Sequence, residues 1–144
     1  MNKLHESLNK QVANLGVLFT KLRYFHWYVK GPAFYGLHAK FEELYTEVED
    51  LYDTIGERLL ALGGNPVANL KLYLELSIIG EAEGEYDAKK MVAETVADLN
   101  LLVTEFKEVI EKASKDGDSV TADIFSGAIA SYQKHVWMLG AFNK

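Results

Sequence analysis

The sequence contains no cysteine. Neither a disulfide framework nor a thiolate metal site can therefore form, and any metal ion must be held by His, Asp or Glu side chains. Long apolar runs are absent too, because no segment approaches the roughly 20 apolar residues that a membrane-spanning helix needs. The first residues also lack the basic region and apolar run of a secretion signal. We expect a cytoplasmic protein without a membrane segment.

Basic residues are outnumbered by acidic ones. The chain has fifteen Lys and Arg against twenty-one Asp and Glu, for a net charge of −6. The scattered basic residues oppose the counterion release on which basic nucleic-acid-binding proteins depend. With 144 residues and 49% hydrophobic composition, the chain suits one domain over residues 1–144.

Apolar residues recur at three- and four-residue steps in four long segments, a pattern typical of amphipathic helices. Glycine and proline separate the first two segments at Gly31-Pro32 and end the second at 63–66, and glycine with capping residues at 115–119 divides the last two. The four segments are residues 4–29, 34–62, 91–110 and 120–139.

The sequence indicates the secondary structure of residues 70–79 less clearly, because their alternating apolar pattern also suits a strand. An isolated strand between long helices would have no ladder partner, so we predict a short helix. The connection between the second and third long helices is long enough to run the length of a bundle. The sequence therefore predicts an all-α, ferritin-like four-helix bundle with a short extra helix in this crossover.

One face of the second helix carries His38, Glu42, Asp53 and Glu57. At about 100° per residue these side chains fall within an arc of roughly 100°, away from the apolar stripe. They can be interpreted simply as a solvated helix face, with the acids serving solubility. Gly56 on the same face, which costs roughly 1 kcal/mol relative to Ala, and nearby tyrosines favour a contact surface instead.

His38 and Glu57 lie about 28 Å apart along the helix, so they cannot bind one metal ion together. If two copies of the helix pack antiparallel about a two-fold axis near its middle, His38 faces Glu57 of the partner subunit and Glu42 faces Asp53 of the partner subunit. Two symmetric sites result, each with the ligands that hold iron or other divalent metals. The dimer would then be the chemical unit.

His26 lies in the apolar stripe of the first helix, where a histidine is more often a hydrogen-bonded core residue than a ligand. The short corner that follows brings His26 near His38, and this proximity favours His26 as a ligand. Trp27 would shield the site or supply an electron, but an interface aromatic without a redox role is the simpler interpretation. His5 has no carboxylates nearby apart from Glu6, and His135 lies on a helix whose apolar side is explained by packing, so we exclude both.

Several short motifs follow one another in a characteristic order: His26-Trp27-x-Val29-x-Gly31, Leu37-His38, Phe41-Glu42, Asp53-x-x-x-Glu57-Arg58, Gly63-Gly64-x-Pro66 and His135-Val136-Trp137-Met138. Their order and spacing resemble the signature of the Dps proteins, the mini-ferritins, over essentially the whole chain. In that family four-helix bundles assemble into a hollow dodecamer. Iron(II) is oxidised there, preferentially with hydrogen peroxide, at sites shared between two-fold-related subunits. The resemblance implies an iron-storing ferroxidase that protects the cell from oxidative damage.

Carried over by position, the resemblance makes His26 and His38 ligands from one subunit and Asp53 and Glu57 ligands from its partner, around a di-iron centre. Glu42 stands where many relatives have Asp, and its longer side chain can reach a metal directly or through water. The Glu-x-x-His pairs of intrasubunit ferritin sites are absent from the sequence. Zinc, cobalt or manganese could also occupy a site of His and carboxylate ligands.

Three acids at the start of the fourth helix, Asp116, Asp118 and Asp123, resemble those that line the three-fold pores of the family, where carboxylates could draw cations inward. Helix capping explains Asp118 equally well. DNA binding in the family usually depends on a lysine-rich tail, whereas only Lys3 and Lys10 occur in the first ten residues. We expect weak or no DNA binding. A DNA-protecting protein without a significant ferroxidase role, and a purely structural bundle, are the alternatives.

Overall fold

A computed structural model describes residues 2–144 of the protein. The described chain is all α-helical and contains no strand, which confirms the predicted bundle with a short helix between the second and third long ones. No helix within residues 2–144 has both the length and the apolar character that crossing a membrane requires. The helices are α1 (Lys3–Tyr28), α2 (Phe34–Ala61), α3 (Leu70–Leu76), α4 (Ala88–Lys115) and α5 (Ser119–Phe142).

Side-chain caps and glycines set most helix boundaries. Asn2, Asp87 and Asp118 precede α1, α4 and α5, and each accepts hydrogen bonds from backbone N–H groups of the first turn, which have no partner inside the helix. After α2 and α4 the chain reverses through Gly63 (φ 87°) and Gly117 (φ 71°), a left-handed conformation that glycine adopts without strain.

The short helix α3 ends earlier than predicted, at Leu76 instead of residue 79. The Ser77 hydroxyl accepts a hydrogen bond from the Ile79 backbone, and the Ile78 backbone donates to the side chain of Asn14 on α1. These bonds replace the helical pattern and turn Ile79 into the core, where it is 4% exposed. The apolar pattern thus continues past the helix because the segment that follows it is also packed.

The core lies between the four long helices, with α1 packed mainly on α2 and α4 mainly on α5. Its largest fully buried side chains are aromatic and come from all four: Phe25, Phe41, Phe106, Phe125 and Tyr132. The short helix α3 lies against α1, where the Tyr73 ring covers Gly16. A Cβ atom at position 16 would lie 2.6 Å from that ring, so the packing of α3 requires glycine there.

Candidate metal centre

His26 and His38 lie on either side of the corner between α1 and α2. His26 is in the last turn of α1 and His38 in the second turn of α2, and Gly31 turns the chain between them with a φ of 104°. The tight corner brings the two imidazole rings into a parallel stack, with centroids 3.7 Å apart and planes 15° apart. The proximity that the sequence suggested for these residues is therefore present.

Each of the two rings is held by the backbone of the other residue. His26 Nδ1 lies 2.7 Å from the carbonyl oxygen of His38, and His38 Nδ1 lies 2.7 Å from the carbonyl oxygen of His26. Because a carbonyl oxygen can only accept, each Nδ1 must carry the proton and donate it. In the neutral ring the lone pair is then on Nε2, the atom that a metal ion binds. The fold selects one tautomer for both histidines.

Glu42 completes this half of the site. It follows His38 by one helical turn, and its Oε1 atom lies 3.7 Å from His26 Nε2. The His26 side chain is only 8% exposed, whereas that of Glu42 is 60% exposed. A buried imidazole and an exposed carboxylate thus meet at the protein surface, where a cation and an oxidant could enter. His26, His38 and Glu42 are the predicted site residues that the fold brings together.

Asp53 and Glu57 lie on the same helix but far from the histidines. Both are exposed, about 22 Å and 28 Å beyond His38 along α2 at 1.5 Å per residue. Within the described part of the chain, no group of three or more His, Cys, Asp and Glu is arranged to hold a metal ion. One chain therefore carries two separate sets of donors, with imidazoles in one and only carboxylates in the other.

Trp27 forms no aromatic contact with His26 or His38 within residues 2–144. Its side chain is 64% exposed, and the guanidinium of Arg23 lies 5.6 Å from its ring. Two other aromatic rings contact the stack: Phe34 stacks on His38 at 5.0 Å between centroids, and Tyr45 meets His26 edge-on at 5.3 Å. The sequence placed Tyr45 on the contact surface of the second helix but did not predict its contact with His26. The predicted role of Trp27 stays a prediction.

Asp118 is engaged within its own chain. Its carboxylate caps α5 through Thr121 and forms an ion pair with Arg58 at 3.0 Å. Partial burial by itself would raise the pKa of Asp118, but the bonds from Thr121 and Arg58 outweigh it and hold the pKa below its ordinary value. Asp116 and Asp123 are exposed. The capping role is thus visible in one chain, and the pore role of these three acids stays a prediction.

His135 is buried in a polar contact between α2 and α5 that the sequence reasoning missed. Its Nε2 atom bonds Glu47, which also accepts from Ser131, and Lys40 Nζ lies 2.9 Å from its Nδ1. Burial by itself would raise the pKa of Glu47, but the bonds from His135 and Ser131 lower it. The position of His135 in the buried stripe of α5, one turn after Tyr132, indicated burial but not its partner.

The chain is similar to known proteins over its whole length. Residues 5–144 match the Ferritin family, described as a ferritin-like domain. DNA protection during starvation protein 2 of Bacillus anthracis is 51% identical over 143 residues, which cover 99% of this chain and 98% of the relative. General stress protein 20U of Bacillus subtilis is 42% identical, with 97% of each chain covered.

Solved structures agree with these relatives. Dps from Staphylococcus aureus matches with a TM-score of 0.97 and 45% identity, covering 100% of this chain and 97% of that one. A Dps from Listeria innocua that was soaked with zinc matches with a TM-score of 0.94 and 41% identity, covering 97% and 95%. The similarity includes both helices that carry the candidate ligands.

Proposed function

Because this chain belongs to the Dps family of ferritin-like proteins, we propose that it oxidises iron(II) to iron(III) and stores the product. The proposed oxidant is hydrogen peroxide by preference, and the proposed assembly is a cytoplasmic dodecamer of identical subunits. Such a protein removes iron(II) and hydrogen peroxide, which together damage the cell. Iron is the substrate and cargo here, bound at a site shared between two subunits.

The reciprocal bonds between His26 and His38 carry this proposal. Both Nδ1 atoms are used by the protein, while within residues 2–144 neither Nε2 atom forms a hydrogen bond. A histidine pair with only a packing role would not need both rings, one buried and one half-buried, to be fixed in the tautomer that leaves Nε2 unprotonated. Imidazole nitrogen beside a carboxylate, as with Glu42 here, is a donor set suited to iron.

The second half of the site is proposed to come from a partner subunit. Antiparallel packing of two α2 helices about a two-fold axis places Asp53 of the partner subunit and Glu57 of the partner subunit beside the imidazole stack. Each dimer then has two complete sites. The stack contributes neutral nitrogen ligands and the partner contributes negative charge, so neither subunit alone can hold the metal firmly.

The residues in this arrangement favour the oxidised product. Carboxylates stabilise iron(III) more than iron(II), so Glu42 and the partner's acids lower the cost of removing an electron. Two iron(II) ions together supply the two electrons that reduce one hydrogen peroxide, with two protons, to two waters. The two-electron reduction releases no hydroxyl radical. Hydrolysis of the iron(III) then yields the stored mineral.

Subunit mixing tests the shared site directly. The variant His26→Ala/His38→Ala and the variant Asp53→Asn/Glu57→Gln should each lose peroxide-dependent iron(II) oxidation, followed by absorbance in stopped flow. Co-assembled at equal amounts, they should recover about one quarter of the wild-type sites, because half of randomly formed dimers are mixed and each mixed dimer has one intact site. His5→Gln is the matched histidine control and should keep full activity. Activity in either parent variant, or none in the mixture, would contradict the proposal.

Direct DNA binding without a significant ferroxidase role is the alternative that the names of the curated relatives raise. The net charge of −6 opposes direct DNA binding, because an acidic protein surface neutralises few phosphates and so releases few of the counterions condensed on DNA. We expect no stoichiometric retention of DNA in a gel shift at low salt without iron. Retention there, together with wild-type protein that leaves iron(II) oxidation unaccelerated, would favour the alternative.

A further inference from the structure

Arg23 has a charged group for which residues 2–144 provide no ion-pair partner. Its Nε atom is buried without a hydrogen-bond partner, and no carboxylate of residues 2–144 lies within ion-pair distance of its guanidinium. The other arginine of the chain, Arg58, is by contrast paired with Asp118 at 3.0 Å. Burying an arginine N–H donor without an acceptor costs free energy, and a group from another molecule that accepts this hydrogen bond would remove that cost.

Three aromatic rings hold the Arg23 side chain in place. Its guanidinium carbon lies 4.3 Å from the ring centroid of Tyr45, 5.3 Å from that of Phe19 and 5.6 Å from that of Trp27. These contacts use the faces of the rings, which supply no oxygen acceptor, so the buried Nε of the guanidinium stays without one. A guanidinium that is held in position but lacks an acceptor is suited to bind a carboxylate, a planar anion whose two oxygens can accept two parallel hydrogen bonds.

Arg23 also lies next to the imidazole stack. It precedes His26 by about one helical turn, and the Tyr45 ring touches both, with its face toward Arg23 and an edge-on contact to His26. Whatever binds the Arg23 guanidinium is therefore held beside the proposed iron site. Within one chain the Glu42 carboxylate is the acid near this stack, whereas Asp53 and Glu57 lie far along α2.

The acidic row of α2 consists of Glu49, Asp53 and Glu57, which recur at four-residue steps and so share one face of the helix. All three are exposed, and none forms an ion pair with a Lys, Arg or His of the described chain. One chain thus has an unpaired cation at one end of the site and unpaired acids along α2. Charge complementarity points to a second copy of the chain as the partner that satisfies both.

We propose that Arg23 binds the acidic row of the partner subunit, at Glu49 and Asp53, and seats these carboxylates against the imidazole stack. This rests on the antiparallel dimer of the proposed function. In its register, His38 is opposite Glu57 of the partner subunit and Glu42 is opposite Asp53 of the partner subunit. Tyr45 then lies opposite position 50, so the two acids flank the guanidinium that stacks on Tyr45. Arg23 is a positioning residue that acts through the partner's carboxylates.

Subunit association in metal-free protein is the primary test, because it does not depend on iron chemistry. Sedimentation of Arg23→Gln should show dimer association weakened by about tenfold or more, with the difference shrinking as salt is raised. Arg23→Lys should restore part of the affinity. Arg58→Gln is the matched control, since it removes an ion pair inside the chain and should lower thermal stability without changing association. Unchanged association of Arg23→Gln would overturn the proposal.

Charge exchange identifies the partner acid. Arg23→Glu should dissociate the dimer, and Glu49→Lys or Asp53→Lys in the same chain should restore association. Failure of both exchanges would overturn the assignment. The assignment would also be overturned if phosphate protected Arg23 from a guanidine-modifying reagent equally well in dissociated subunits and in the dimer.

Iron oxidation gives a separate readout: Arg23→Gln should raise the iron(II) concentration for half-maximal rate about tenfold while changing the maximal rate little. If wild-type protein oxidises no iron, the proposed function fails, while the association results still decide the role of Arg23.

Discussion

The Nδ1 atom of His26 and the carbonyl oxygen of His38 are 2.7 Å apart, and the reverse pair of atoms, His38 Nδ1 and the His26 carbonyl, is separated by the same distance. The two hydrogen bonds form a closed loop that joins the last turn of α1 to the second turn of α2. The rings are stacked inside this loop, so neither can rotate without breaking its own hydrogen bond and the stack. Metal binding and the geometry of the helix corner are thereby coupled.

This coupling predicts that the two histidines contribute non-additively to metal affinity. Replacing His38 by Ala removes one ligand, the ring that stacks on His26, and the hydrogen bond from residue 38 to the His26 carbonyl, so His26 keeps only its own bond to the residue 38 carbonyl. We expect His38→Ala to weaken Co²⁺ or Zn²⁺ binding by roughly 10- to 100-fold, with little further loss in the double variant His26→Ala/His38→Ala. Calorimetric titration of the assembled protein measures this. Losses that simply add would show that the rings act independently.

The ion pair of Asp118 and Arg58 predicts a specific acid sensitivity. The folded-state pKa of Asp118 lies below its ordinary value of 3.8, so its stabilisation is fully present above that value and is lost as the pH falls through the lower folded-state pKa. Asp118→Asn keeps a capping side chain but removes the charge that pairs with Arg58, so it should lower the free energy of unfolding by about 1 kcal/mol near neutral pH. The difference in unfolding free energy between Asp118→Asn and the wild type, measured by denaturant unfolding at a series of pH values, should disappear below pH 3.8. A gap that is constant over pH would contradict this assignment.

Gly16 should resist substitution although it lies in the middle of α1. Gly→Ala in a helix normally stabilises by about 1 kcal/mol, but here the added Cβ would lie 2.6 Å from the Tyr73 ring. We expect Gly16→Ala to destabilise by about 1–3 kcal/mol, because α3 must shift outward. Gly127→Ala is the control, since a Cβ there meets nothing within 4 Å. Thermal melts of both variants give the comparison, and equal behaviour would show that Tyr73 moves aside at no cost.

The polar contact of His135 should support the fold and not the iron chemistry. His135→Phe leaves Glu47 and Lys40 without their shared partner in a partly buried setting, so we expect a loss of about 1–3 kcal/mol in unfolding free energy. The rate of iron(II) oxidation per assembled dimer should be unchanged at a temperature where the variant is folded. A lost rate with an intact fold would make His135 part of the iron site.

Local sequence patterns were sufficient for the helices. Apolar spacing, the cap Asp118 and the glycines after α2 and α4 act over one or two turns, so the pattern of neighbouring residues contains the information. The cap Asp87, which starts α4 at Ala88 and not at residue 91, was not recognised in the sequence. The end of α3 was misjudged because it depends on a bond between the backbone of Ile78 and Asn14, 64 residues earlier.

The candidate ligands on α2 could also be predicted, because a helix places Glu42, Asp53 and Glu57 on one face by its period alone. The sequence likewise determined that one chain cannot close the site, since helix rise sets the distance from His38 to Glu57. Tertiary structure alone decided the tautomers of His26 and His38, the unpaired state of Arg23 and the partner of His135. Each of these three features depends on contacts between atoms of different helices, and the residue spacing within one helix does not determine those contacts.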